Sequence, residues 1–223
     1  MTFSILARDP ATGAIGGAAA TGALCVGGWV LRGRPEAGMS ASQGMAPSTL
    51  WGETVLDLMA GGMTSATAID DVTGPDSGRA QRQLTALGLT GPGAAYTGAA
   101  NLPAKTDRRF ADGVAAGNML TRTEVIDALV EGFVGATGTF PERLLAGLRA
   151  ADAAGSDTRG LLSAALLVVS PDHAPLTLRV DYAETPLDAL GDLLSRASTG
   201  HYADWAAQVP CVSAPESTYT AND

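Results

Sequence analysis

The sequence predicts one α/β domain in which two stacked, mostly antiparallel sheets are covered by helices on their outer faces. Along the 223 residues, the patterns follow in groups: strands, two helices, strands, two helices, strands and one helix. Short turns join neighbouring strands, which favours hairpins over parallel crossovers. The hairpin strands are apolar along nearly their whole length, so both faces of each sheet must be covered. A four-layer αββα sandwich satisfies all three observations.

Hydrophobic runs bounded by turn residues predict the strands. The first two, residues 2–8 and 14–20, flank a turn that Asp9 initiates, and they open the chain with a hairpin. The Gly- and Pro-containing stretch 32–38 is predicted as a loop. The remaining predicted strands are residues 39–44, 83–89, 94–99, 114–120, 163–170 and 176–181.

Apolar residues at helical spacing predict five helices, and residues that favour helix starts and stops set their ends. Thr121 with Glu124, and Thr139 with Glu142, match the capping-box pattern, in which the two side chains bond each other's backbone N–H groups. The predicted helices are residues 48–60, 64–72, 121–132, 139–151 and 185–195. A single domain over residues 1–208 and a loose tail over 209–223 follow from this arrangement.

Charge and hydropathy exclude several classes of partner. A formal charge of -9 leaves no clustered basic surface for a phosphate backbone, so we expect no nucleic-acid partner. The longest apolar stretch, residues 161–169, is about half of the ~20 residues that a membrane-spanning helix needs. The N-terminus lacks the pattern of a signal peptide. We therefore expect a cytoplasmic protein that acts on a small molecule and does not bind membranes.

The two cysteines and two histidines give no basis for a cofactor. Cys25 and Cys211 are far apart in sequence and show no metal-ligand spacing, and Cys25 is interpreted as a small buried residue. No His, Cys and Asp cluster is present, so neither a metal nor another cofactor is expected. Trp29 and Trp205 are candidates for exposed aromatic side chains, and with a surface nearly free of lysine they suggest a homo-oligomer.

Four segments together resemble the Ntn-hydrolase-like bacterial proteins of unknown function grouped as DUF1028. They are MTFSILARDP at the start, residues 37–43, residues 117–120, and residues 157–169. The resemblance spans most of the chain and implies the same αββα sandwich. Its superfamily cleaves amide bonds with a chain-terminal nucleophile. This chain departs from the commoner family pattern, with Gly22 where many members carry Lys, Leu162 where Gln is usual, and Tyr182-Ala183 where an Asp-His pair often stands.

Thr2 is the leading candidate for a catalytic residue. The small residue after Met1 permits removal of the initiator methionine, which gives Thr2 a hydroxyl and a free α-amine. An α-amine titrates near pH ~7.7–8.0, so it can accept the hydroxyl proton and return it to a leaving amine. Thr2 is equally well interpreted as the first β-branched residue of a strand.

Other polar residues near predicted strand ends complete a candidate site. Asn118 and Gln43 are neutral donors for an oxyanion, although either could instead cap a helix or turn. Arg34 is a candidate clamp for a substrate carboxylate. Asp157 and Arg159 could orient the Thr2 amine or form a structural ion pair.

Three hypotheses follow for function. The first is an N-terminal-nucleophile amidohydrolase for a small anionic amide, with Thr2 attacking, Asn118 polarising the oxyanion and Arg34 holding the substrate. The second is a non-catalytic protein of the same fold that binds a small molecule or serves in assembly. The third is an enzyme with an internal site around Ser42, Gln43 and Asn118.

Overall fold

A computed structural model describes residues 2–220 of the chain. The strands within this range are β1 Thr2–Arg8, β2 Ile15–Thr21, β3 Leu31–Arg34, β4 Gly38–Gly44, β5 Arg82–Gly88, β6 Ala94–Thr97, β7 Thr106–Phe110, β8 Gly113–Asn118, β9 Ser163–Ser170 and β10 His173–Val180. The helices are α1 Val26–Trp29, α2 Thr49–Ala60, α3 Ser65–Thr73, α4 Glu124–Gly135, α5 Phe140–Ala153, α6 Pro186–Ala197 and α7 Gly200–Ala206.

The strands form two antiparallel sheets. The larger has the order β10-β9-β2-β1-β8-β7, and the smaller has the order β3-β4-β5-β6. Strand β1 lies at the centre of the larger sheet, paired with β2 on one side and β8 on the other. The N-terminal strand therefore has both edges hydrogen-bonded, which fixes its first residues as firmly as those of an internal strand.

Helices cover the outer face of each sheet, which confirms the predicted four-layer sandwich. Helices α4, α5 and α6 pack on the six-stranded sheet, and α2 and α3 pack on the four-stranded sheet. Three apolar clusters fill the spaces between the layers, one under each helix layer and one between the sheets. Because both faces of the central strands are buried, β1, β2 and β8 are apolar or small-residue strands on both sides, as their sequences indicate.

Side chains of β1 alternate between two of these interiors. Phe3 and Ile5 contribute to the cluster beneath α4 and α5, whereas Leu6 belongs to the cluster between the sheets. Ser4 also faces the second sheet, where its hydroxyl donates to Gln43 Oε1 at 2.9 Å. The period of two along a strand then directs Thr2 to the same side as Ser4 and Leu6. The candidate nucleophile thus lies between the two sheets and not beneath the helices.

Several local signals of the sequence are confirmed. The first hairpin turns at Asp9, whose backbone N–H donates to Ala14 O at 2.8 Å and whose carboxylate accepts from the Thr12 hydroxyl at 2.7 Å. The capping box at the start of α5 is present, with Thr139 N donating to the Glu142 carboxylate at 2.7 Å. This bond from the Thr139 amide lowers the pKa of Glu142, because it favours the charged carboxylate.

Other local predictions were wrong. The stretch 32–38 predicted as a loop includes most of β3, because residues 32–34 pair with β4 as part of an edge strand. Strand β7 was missed because its sequence, TDRRF, is polar. It is an edge strand of the six-stranded sheet, and most of its residues are only half-buried. The capping box predicted at Thr121 is absent, since α4 begins at Glu124 with Thr123 as its N-cap residue. Cys25 is half-buried, with a left-handed φ of 60° at the start of α1.

Most residues of the segment that follows α6 are exposed, including Tyr202, Trp205 and Val212. Helix α7 ends at Ala206, and a later backbone contact joins Ser213 N to Pro171 O at 2.9 Å. The predicted division into a domain of residues 1–208 and a tail of 209–223 stays a prediction, and residues 221–223 lie outside the described range. None of the helices in residues 2–220 has both the length and the apolar character needed to cross a bilayer.

Helices α4 and α5 pack so closely that one glycine of α4 has no room for a side chain. A Cβ at Gly132 would lie 2.4 Å from Ala150 Cβ, whereas a Cβ at Gly135, one turn later, would contact nothing within 4 Å. We expect Gly132→Ala to lower the free energy of unfolding by about 1–3 kcal/mol through overpacking. Gly135→Ala should leave it unchanged or raise it by up to ~1 kcal/mol, because alanine favours helix.

Chemical denaturation of both variants tests this packing. The two substitutions are chemically identical and lie in the same helix. Helix propensity alone would therefore raise the free energy of unfolding of both variants. Equal stabilisation of both variants would contradict the close approach of α4 to α5.

Candidate functional site

Thr2 lies in the wall of a cavity at one end of the gap between the sheets. The cavity has a volume of about 360 Å³. The side chain of Thr2 is almost buried, and its hydroxyl donates to Thr21 Oγ1 at 3.3 Å. The described residues that line this cavity are Thr2, Thr21, Ala23, Leu24, Val26, Trp29, Val30, Gln43, Gly44, Met45, Pro47 and Arg159. The candidate nucleophile therefore faces a space that can hold a small molecule.

Strand register explains why polar residues gather beside Thr2. In the six-stranded sheet, Thr2 pairs with Asn118 at the end of β8, and Thr21 at the end of β2 pairs with Ser163 at the start of β9. Because neighbouring strands run in opposite directions, the starts of β1 and β9 lie at the same end of the sheet as the ends of β2 and β8. All four residues are buried. Polar residues at the ends of otherwise apolar strands thus meet in a single row.

Buried amide side chains connect this row to the second sheet. Gln43 Nε2 donates to Gln83 Oε1 at 2.7 Å, and Asn118 Nδ2 donates to the same oxygen at 3.0 Å. The Gln83 amide in turn donates to Gly117 O at 3.0 Å, and Gln43 Oε1 accepts from Ser4. The predicted residues Gln43 and Asn118 are therefore brought together, with Gln83 as the group that joins them.

Asp157 and Arg159 form an ion pair next to the cavity. Arg159 donates from Nε and Nη2 to the two oxygens of Asp157, at 3.3 and 3.2 Å. Asp157 is buried, and it also accepts from the backbone N–H groups of Gly22 at 2.7 Å and Arg159 at 2.9 Å. Only Arg159 of the pair lines the cavity. The structural ion pair that the sequence allowed is thus present.

Gly22 allows the close contact between the end of β2 and this ion pair. A Cβ at position 22 would lie 2.5 Å from Gly160 O and 3.1 Å from Arg159 Cβ. A side chain at position 22 would therefore displace the segment that carries Arg159.

The turn after β2 offers two backbone donors to the cavity. Ser163 holds this turn, since its Oγ donates to Ala23 O at 2.8 Å and accepts from Val26 N at 3.1 Å. Within residues 2–220, the N–H groups of Ala23 and Leu24 donate to no acceptor, and both residues line the cavity. Two consecutive amides of this kind can stabilise a developing negative charge.

A polar cluster holds the opposite wall in place. Met45 N donates to Asn101 Oδ1 at 3.1 Å, and the Arg82 guanidinium donates to Ala46 O. Arg82 also donates to Asp76 at 2.8 Å, and this hydrogen bond is the main cause of the lowered pKa of Asp76. These contacts fix the segment 44–47, whose residues lie across the cavity from the turn after β2.

Two predicted site residues lie elsewhere. Arg34 donates to the Asp57 carboxylate of α2 at 2.6 Å and does not line the cavity. Ser42 donates to Ser48 O at 2.7 Å at the start of α2. Because Ser42 and Gln43 are neighbours on one strand, their side chains point to opposite faces of the sheet. Ser42, Gln43 and Asn118 therefore do not surround one cavity.

The sequence interpretation missed Gln83, Thr21 and the apolar residues at the cavity mouth. Gln83 could have been found, because it is the one amide in the largely apolar run from Gln83 to Leu87, and a buried amide needs partners. No sequence pattern marked Leu24 or Met45 as a site residue. Leu24 lies in the loop after β2 and Met45 in the loop after β4, and the sequence does not show that both loops line one cavity. Among residues 2–220, no group of three or more His, Cys, Asp or Glu side chains is placed to hold a metal, and both cysteines are free thiols.

The amide network predicts a large cost for removing its central member. Gln83→Leu would leave the donors of Gln43 and Asn118 without their shared acceptor in a dry interior. We expect the free energy of unfolding to fall by about 2–4 kcal/mol in urea denaturation. The matched variant Gln81→Leu, two residues earlier and exposed, should change it by less than ~0.5 kcal/mol. Equal effects of both substitutions would show that the network does not stabilise the fold.

Comparison with known proteins places the chain in a family. A family model described as "Family of unknown function (DUF1028)" matches residues 2–190. The crystal structure of protein SPO2555 from Silicibacter pomeroyi, itself assigned to DUF1028, is 56% identical, with a TM-score of 0.95 over 100% of this chain and 97% of that chain. No curated protein matches the chain. The family model covers more than half of the sequence, and the chain therefore belongs to the DUF1028 family.

Proposed function

We propose that the protein is an N-terminal-nucleophile amidohydrolase whose nucleophile is the Thr2 hydroxyl. One observation carries the proposal: Thr2 begins the central strand of the larger sheet and lines a cavity between the sheets. A nucleophile must be both fixed in position and accessible to a substrate. The double pairing of β1 supplies the first condition and the cavity supplies the second.

The proposed reaction begins once Met1, which lies outside the described residues, has been removed. The freed amine of Thr2 accepts the hydroxyl proton while Oγ1 attacks the amide carbon of the substrate. The tetrahedral intermediate collapses, the carbon–nitrogen bond breaks, and the amine returns the proton to the leaving nitrogen. Water then hydrolyses the ester on Thr2, with the same amine as base, and releases the acid. No group beyond water and the substrate is needed.

Donors around Thr2 support stabilisation of the oxyanion. Asn118 pairs directly with Thr2 in the β1–β8 ladder, and one hydrogen of its amide is held by Gln83. An amide nitrogen carries two hydrogens, so the second remains for an oxyanion. The N–H groups of Ala23 and Leu24 supply donors from the other side of Thr2. Asn118 is buried and does not line the cavity, so we assign the oxyanion site to the Ala23 and Leu24 N–H groups, with Asn118 as an additional donor that Gln83 orients.

Mass spectrometry and a covalent probe test the role of Thr2. Intact mass should show a mature chain without Met1, and a β-lactone, which acylates activated hydroxyls, should add once, at Thr2. Thr2→Ser should keep labelling and hydrolysis of small amides. Thr2→Ala should lose both by at least about 10³-fold, because the attacking atom is gone. Thr177→Ala, the same change at an exposed position of β10, should behave as the parent.

Two results would overturn the proposal. One is retention of Met1 in native, folded protein. The other is labelling or amide hydrolysis that survives Thr2→Ala. A protein that only binds small molecules on this fold would show neither labelling nor hydrolysis in any variant, and would retain affinity for ligands of the cavity.

A further inference from the structure

The cavity beside Thr2 has an apolar surface that extends to its mouth. Seven of its lining side chains are apolar: Ala23, Leu24, Val26, Trp29, Val30, Met45 and Pro47. Leu24, Trp29 and Met45 remain 55%, 53% and 52% exposed. Large apolar side chains around a concave surface mark a place where an apolar group of a ligand is removed from water. This surface is unsuited to a small, fully polar amide.

One lining side chain carries a formal charge, among those that the structure describes. The guanidinium of Arg159 uses Nε and Nη2 on Asp157, and Nη1 has no hydrogen-bond partner within residues 2–220. The Arg159 side chain is 43% exposed, whereas that of Asp157 is 0% exposed. Because Asp157 is itself fixed by the backbone of Gly22, the two hydrogen bonds restrict the orientation of the guanidinium in the cavity wall. Such a fixed cation binds a carboxylate at a lower entropic cost than a mobile one.

The charge of the whole chain makes this cation important. At -9, the protein repels an approaching anion, so an anionic ligand needs a local positive group. Arg34, the other candidate, already donates to Asp57 outside the cavity. Arg159 is therefore the residue positioned to attract a carboxylate to the Thr2 cavity.

We propose that the site takes amides that combine a carboxylate with an apolar group, in the manner of an N-acylated amino acid. Arg159 binds the carboxylate, and the surface formed by Leu24, Trp29 and Met45 covers the apolar group. The inference rests on the proposed function for the amide bond itself, which lies between these two parts and next to Thr2. The binding of the two parts is separable from cleavage and can be measured alone.

A pair of probes without an amide bond tests the binding. 4-Phenylbutyrate and 4-phenylbutanol share the ring and chain and differ in the charge. By NMR titration, the parent protein should bind the carboxylate about 10- to 100-fold more tightly than the alcohol, as expected for a charge-assisted hydrogen bond. Arg159→Gln should remove this preference and leave the affinity for the alcohol unchanged. Trp29→Ala should weaken both probes alike.

Controls distinguish a lost contact from a damaged fold. Arg109→Gln makes the same change at an exposed residue of β7 outside the cavity and should keep the full preference. Arg159→Lys keeps the charge and should retain part of it. Unchanged affinity of Arg159→Gln for the alcohol shows that the cavity is intact.

Two outcomes would overturn the inference. In the first, the parent binds both probes equally or neither. In the second, the preference survives Arg159→Gln and disappears in Arg34→Gln. Because the probes contain no amide, these outcomes are independent of the Thr2 variants. Failure of Thr2 as a nucleophile would leave the probe preference intact, so the two proposals fail in different experiments.

Discussion

The satisfaction of buried polar groups between the two sheets is the constraint on which the candidate site depends. A dry interior penalises an amide without partners, so Ser4, Gln43, Gln83 and Asn118 must keep one mutual arrangement. These hydrogen bonds join the two sheets next to Thr2. Gln43 belongs both to this network and to the wall of the cavity, so the buried network holds one wall of the candidate site in place.

The layered architecture could be predicted because it follows from local patterns. Strands that are apolar on both faces demand covering layers, and short turns demand antiparallel pairing, wherever the strands lie in space. Predictions failed where tertiary context outweighs local preference. Strand β7 is polar because it is an edge strand, and β3 contains Gly33 next to two arginines, so neither has the composition of a typical strand.

The site was predictable in part for the same reason. Gln43 and Asn118 lie near the ends of small-residue strands, and Thr2 begins β1. Strand register pairs Thr2 with Asn118, and hydrogen bonds between the sheets add Gln43. Arg34 illustrates the limit of such reasoning. The sequence does not show that its long side chain bonds to Asp57 of α2 and lies outside the cavity. The partnership of Gly22 with Asp157 spans 135 residues and has no local signal at either end.

Gly22 makes the position of a charged group depend on a residue that has no side chain. The missing Cβ leaves room for the backbone of residues 157–160, and that segment carries Arg159. A Cβ at position 22 would lie 2.5 Å from Gly160 O and 3.0 Å from Asp157 Oδ1, so a larger residue would push the segment away from the end of β2. A substitution at position 22 would therefore displace the guanidinium from the cavity wall without altering its chemistry.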